Sequence, residues 1–143
     1  MRNLKRMDKL YIPGDLVYIH GSLRIISNCD GYYATYYDED EILQEINVNV
    51  IEGIPLTTEI LEKNGWKKEV MSRGVKNSHW VYTKPDIEEY GYFPIYIEKG
   101  IGDELDVYPF TDNNVCKQIA YIKYVHQLQH LFFGLGINHE MEV

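Results

Sequence analysis

The chain has 143 residues, 45% of them apolar, and a formal charge of −8. That is enough for one domain, or two small lobes sharing a core. The acidity repels phosphate backbones, so nucleic-acid binding is not the expected role. No apolar run reaches about 18 residues, so no membrane-spanning helix is expected.

The first nine residues, "MRNLKRMDK", read as a flexible basic segment carrying Arg2, Lys5, Arg6 and Lys9. No apolar stretch follows them, so they do not read as a secretory signal. Cys29 and Cys116 are two cysteines, too few for a disulfide framework, and the expectation is reduced thiols in a soluble intracellular protein.

From residue 10 to 53 the pattern is short strands and tight turns. Pro13-Gly14-Asp15 is turn chemistry. Strands are expected at Leu16–His20 and Leu23–Ser27, joined by a reversal at Gly21-Ser22. The aromatic run Tyr32–Tyr37 is strongly strand-forming. Asp38–Glu41 reads as a charged loop. "INVNVI", Ile46–Ile51, alternates with period two and predicts a half-buried strand. So many short strands in so few residues imply a small, strongly bent sheet or barrel. The opening "GDLVYIHG" has the character of an SH3-like barrel strand.

Residues 54–143 predict an α+β part. Thr57 is a good N-cap for a short helix over 57–64, with Glu59 in its first turn, a Leu56–Leu61 staple and an Asn64-Gly65 stop. An antiparallel meander is expected over 66–110, with strands at Trp66–Met71, His79–Thr83, Tyr92–Glu98 and Leu105–Phe110. Pro94 argues for an edge position. Asp112-Asn113-Asn114 can cap a long last helix over 117–135, packed on the sheet. The fold class is therefore α+β.

The last helix carries His126 and His130. At 100° per residue, Tyr121, Tyr124, Val125, Leu128, Leu131, Phe132 and Leu135 share an arc of about 120°, a core-facing stripe. That phase turns His130 to water and puts His126 and Gln129 at the stripe's flank. Histidines at i and i+4 can grip a metal, but Gln127 stands where a zincin has Glu, and the helix offers no acidic third ligand. Neither cysteine has a histidine at a recognised spacing, no glycine-rich phosphate loop occurs, and Asp38–Glu41 lacks the spacing of a calcium loop. No catalytic residue, cofactor or metal is expected. His126 and Gln129 could hydrogen-bond sheet backbone, or line a groove for a partner.

"IPLTTEILEKNGWKK" and "IKYVHQLQHLFFGLG" together resemble a set of small uncharacterised proteins encoded by phages and mobile elements of gut Bacteroidetes. Pro55, Leu56, Thr57, Leu61, Asn64 and Gly65 match the first motif of that set. Tyr124, Val125, His126, Gln127, Leu128, Gln129 and Leu131 match the second. His130, Gly134 and Gly136 depart from it. The resemblance implies a phage or mobile-element origin and no particular activity.

The function expected is binding rather than catalysis, with a host or phage protein as partner. Tyrosine, present 13 times, suits interfaces. A nucleotide-sequestering sponge is the alternative, with Tyr32, Tyr33, Tyr36 and Tyr37 stacking on bases and Arg24 or Arg73 holding a phosphate. Two further readings are a metal-dependent enzyme using His126, His130 and His139, and mimicry of DNA by the acidic surface. The composition is also compatible with a homo-oligomer.

Overall fold

A computed structural model describes residues 10–71, 79–84, 95–99, 105–109 and 120–143. The fold is mixed α+β, with two five-stranded antiparallel sheets. The chain divides into two compact units, Met1–Pro55 with Tyr124–Met141, and Leu56–Lys123 with Glu142–Val143.

The first unit is a meander of β1 (Leu16–Ile19), β2 (Ser22–Cys29), β3 (Tyr33–Tyr37), β4 (Leu43–Asn47) and β5 (Ile51–Gly53), in the order β4-β3-β2-β1-β5. β1 and β2 are joined by the two residues His20 and Gly21, both at positive φ, as a tight hairpin requires. The register of β2 and β3 shifts between Ile26 and Asn28, a bulge that sharpens the local twist. The sheet bends but does not close, so the barrel expected for residues 10–53 is not formed as such: β4 and β5 remain its two ends.

Period two decides which side chains meet. Val17, Ile19, Ile26, Ala34 and Ile51 turn to one face and form a buried cluster with Tyr11 and Val48, onto which Cys29, Tyr36 and Ile46 pack. The expected strand Ile46–Ile51 is broken. Asn47 accepts a hydrogen bond from the Asn49 N–H through its side chain, and Val48–Val50 form a 3-10 turn. The turn drops Val48 into the core and re-aims the chain so that β5 can pair with β1.

In the second unit, α1 (Thr58–Lys63) has Thr57 as N-cap, its hydroxyl accepting from Ile60 N at 3.2 Å. Leu56 and Leu61, the staple pair, are both buried. Gly65, at φ 89°, ends the helix: its N–H bonds Glu62 O and that of Trp66 bonds Leu61 O. The Asn64 amide donates to Glu142 O and accepts from Glu142 N, tying the chain's last residues to this helix. β6 (Lys67–Met71), β7 (His79–Thr83), β8 (Ile95–Lys99), β9 (Leu105–Pro109) and β10 (Ala120–Ile122) form the second sheet, in sequence order. β8 lies between β7 and β9, in the interior of the sheet and not at the edge that Pro94 suggested.

The last helix is shorter than the expected 117–135. Ala120–Ile122 form β10, and α2 runs over Val125–Gly134. The suggested caps at 112–114 and the segment 117–119 lie outside the described residues. The Gln127 side chain instead accepts from Tyr124 N at 2.9 Å, and Val125 N donates to Ile54 O. At the other end Gly136, at φ 72°, closes the helix as Gly65 closes α1, with Ile137 N on Phe132 O and Gly136 N on Phe133 O. α2 belongs to the first unit, where it packs on β1.

Candidate functional site

Two places in the first unit gather the residues singled out from the sequence. One is the histidine face of α2. The other is the outer face of the first sheet.

The phase of α2 differs from the stripe expected. Val125, His126, Leu128, Gln129 and Phe132 are buried, whereas Leu135 and Phe133 are exposed and Leu131 is intermediate. Gln129 is fully buried because its amide can satisfy three backbone groups. Its Oε1 accepts from Leu16 N at 2.9 Å, and its Nε2 donates to Gly14 O and His139 O, both at 3.0 Å. This is the backbone-bonding role considered for Gln129. His126, expected at the boundary, is buried: its ring stacks on Tyr124 at 5.6 Å and tilts against Tyr11 at 5.0 Å.

His130, expected to face water, is held instead by Asp15. Its Nε2 lies 2.6 Å from Asp15 Oδ2, which also accepts from Ile12 N at 2.8 Å. Asp15 is fully buried, so the imidazole supplies a partner that a buried carboxylate requires. In the sequence Asp15 reads only as a turn residue; a carboxylate just ahead of a buried strand is the signal of its role. His126 and His130 stand edge to face at 5.6 Å, and His139 lies against Gly14 and Phe133. Among the described residues no group of three His, Cys, Asp or Glu side chains is arranged to hold a metal ion. The cluster pins α2 and the C-terminal segment to the start of β1.

The tyrosine strand splits by pleat. Tyr36 packs on the core, while Tyr33 and Tyr37 point outward and Tyr32 is exposed just before the strand. The four tyrosines therefore do not form one stacking surface. Arg24 is engaged by Glu39, at 3.2 Å, and Arg73 lies outside the described residues.

What the outer face presents instead is apolar. Leu16 pairs with Ile25 and Tyr37 with Leu43, and the Ile26–Tyr36 pairing sets Ile25 beside Tyr37. The result is a row running across four strands. Ile25 is 59% exposed, Tyr37 57%, Leu43 53% and neighbouring Leu23 44%. An open depression of about 520 Å³ lies along this row, lined by Leu16, Leu23, Arg24, Ile25, Ile26, Ser27 and Tyr37. Ile25, Leu23 and Leu43 were not singled out from the sequence. The signal was present in "SLRII", where apolar residues fall on both phases of a strand that buries only one face.

The turn leading into this face is organised by Asp38. Its carboxylate accepts from Ile42 N at 3.0 Å, Asp40 N at 2.9 Å and the Gln44 amide at 2.8 Å. The Ile42 N–H, then the Gln44 amide, hold its pKa below the ordinary carboxylate range. Asp30 is lowered likewise by the N–H groups of Tyr33 and Tyr32.

No helix among the described residues is long and apolar enough to cross a membrane. No protein-family description, curated protein or solved structure matches the chain.

Proposed function

We propose that this chain acts by binding a protein partner through the outer face of its first sheet, as an accessory protein of a phage or mobile element working in the bacterial cytoplasm, without catalysing a reaction. The observation that carries this reading is the exposed row Ile25–Tyr37–Leu43 with Leu23 beside it. Contiguous exposed apolar and aromatic side chains on a small acidic protein mark an interaction surface, and Tyr is among the residues that anchor such surfaces. His126 and His130, the obvious candidates for chemistry, are occupied in packing α2.

The first sheet also supports the SH3-like reading of residues 10–53. Its last strand returns to pair with its first, and a 3-10 turn precedes that return. The phage or mobile-element origin rests on the two helical motifs, and the cytoplasmic setting on the two-cysteine composition.

The nucleotide-sponge reading has one observation in its favour: Arg24 and Tyr37 line the same depression. Against it, the Arg24 guanidinium already faces Glu39, and the surrounding charge is negative.

The test is a pull-down from host lysate with tagged wild type and an Ile25→Asp, Tyr37→Ser variant whose circular dichroism matches wild type. A partner retained by the wild type and lost from the variant is expected. Absence of any stable partner above background refutes the proposal, and a large thermal stabilisation by a cyclic nucleotide would favour the sponge instead.

A further inference from the structure

Resting on that binding reading, we infer that the open edge of β4 receives an extended segment of the partner by strand addition, and that the segment carries an apolar and a basic residue two positions apart on one face. β4 is the terminal strand of its sheet, paired on one side with β3. The hydrogen bonds flanking the pair settle which backbone groups are spent. Asp38 N donates to Ile42 O at one end, and Val48 N donates to Tyr32 O at the other. In an antiparallel ladder bonded and non-bonded pairs alternate. Gln44 and Ile46 therefore bond β3, and the N–H and C=O groups of Leu43, Glu45 and Asn47 point away from the sheet.

Apart from the charge of Glu45, that edge lacks the usual protections. Over Leu43–Asn47 it carries no proline, no lysine and no bulge, and Ile42 and Leu43 beside it are exposed. Natural edges left in this state are pairing templates, and extended peptides use such templates through main-chain hydrogen bonds, with side-chain pockets adding specificity. Here the specificity is readable. A residue opposite Leu43 on the outer face would extend the exposed row from Ile25 and Tyr37. One opposite Glu45 meets a carboxylate, with the Asp38–Glu41 turn close by in a chain of charge −8. An apolar and a basic side chain two residues apart, on the same face of the incoming strand, complement those positions.

A second copy of this chain is a poorer occupant. Antiparallel β4–β4 pairing over the full strand sets Leu43 against Asn47 and Glu45 against Glu45, and like charges directly opposite destabilise a ladder.

The probe is a capped seven-residue threonine peptide with valine at its second and sixth positions and lysine at its fourth, so that one face offers valine to Leu43 and lysine to Glu45; the same peptide with glutamate at the fourth position and a backbone N-methylated form of the lysine peptide are the controls. Fluorescence anisotropy gives affinity, and amide spectra of labelled protein give location. Wild type is expected to bind the lysine peptide alone, with shifts centred on Leu43, Glu45 and Asn47. Glu45→Lys should weaken binding about two- to fivefold through the cross-strand charge. Glu45→Pro deletes an outward N–H while sparing the ladder to β3, and should weaken it at least about tenfold. The N-methylated peptide tests the same bonds without altering the protein, so a poorly folded proline variant does not decide the matter. No binding by wild type, equal binding of the N-methylated peptide, or shifts confined to Leu23, Ile25 and Tyr37 would overturn the inference. A lysate partner lost on Ile25→Asp yet kept on Glu45→Pro would overturn strand addition and leave the binding reading standing.

Discussion

Replacing Gln129 by Leu tests whether α2 is held to the first sheet by a polar clasp. The substitution preserves approximate side-chain volume and adds apolar surface to a fully buried position. It also removes three hydrogen bonds, to Leu16 N, Gly14 O and His139 O. At about 0.5–1.5 kcal/mol net for each bond, their loss amounts to roughly 1.5–4.5 kcal/mol. The Leu16 N–H then has no acceptor inside the packed interface, which pushes the expected value to the upper part of that range, about 3–4 kcal/mol. Both tryptophans, Trp66 and Trp80, belong to the second unit, so fluorescence would follow the wrong part of the chain. Native-state hydrogen exchange is the suitable assay. Protection of the Leu16 amide should collapse, and protection across β1 and β2 should fall with it, while amides of β8 and β9 hold. A Gln129→Leu protein within about 1 kcal/mol of wild type, with Leu16 still protected, would show that packing alone seats the helix and would refute the clasp.

Two further outcomes follow from the same geometry. A Cβ on Gly53 would lie 2.7 Å from Tyr124 Cδ1 and 3.1 Å from His126 Cε1, so Gly53→Ala should destabilise the first unit by about 1–3 kcal/mol, read by thermal unfolding followed in the far ultraviolet. Asp38 is lowered in the folded state by the Ile42 N–H, so its contribution is present above its unfolded pKa and is lost as pH falls through the lower folded value. Acid titration of amide shifts should therefore show Asp40 and Ile42 loosening below the ordinary aspartate range in wild type, and Asp38→Asn should abolish that transition.

Residues whose role is settled within one turn of chain were legible from the sequence. Thr57 caps α1 and Gly65 stops it, because a hydroxyl beside exposed N–H groups and a residue without a Cβ at positive φ act wherever the chain places them. The turn-bounded segments around Gly21 became strands for the same local reason, and the tyrosines at 33, 36 and 37 divided between core and surface by pleat.

Tertiary structure decided what depends on distant partners. Ile46–Ile51 has the period of a strand, yet Asn47 turns the chain there so that β5 can reach β1. His130 sits on the face that helical periodicity assigns to solvent, and it is drawn in by a carboxylate 115 residues away in sequence. Gln129 looks like a flank residue until β1 supplies an unpaired N–H beside it. Local chemistry is written in neighbouring residues; the cost of burying a polar group is known only when the fold has set its partner beside it.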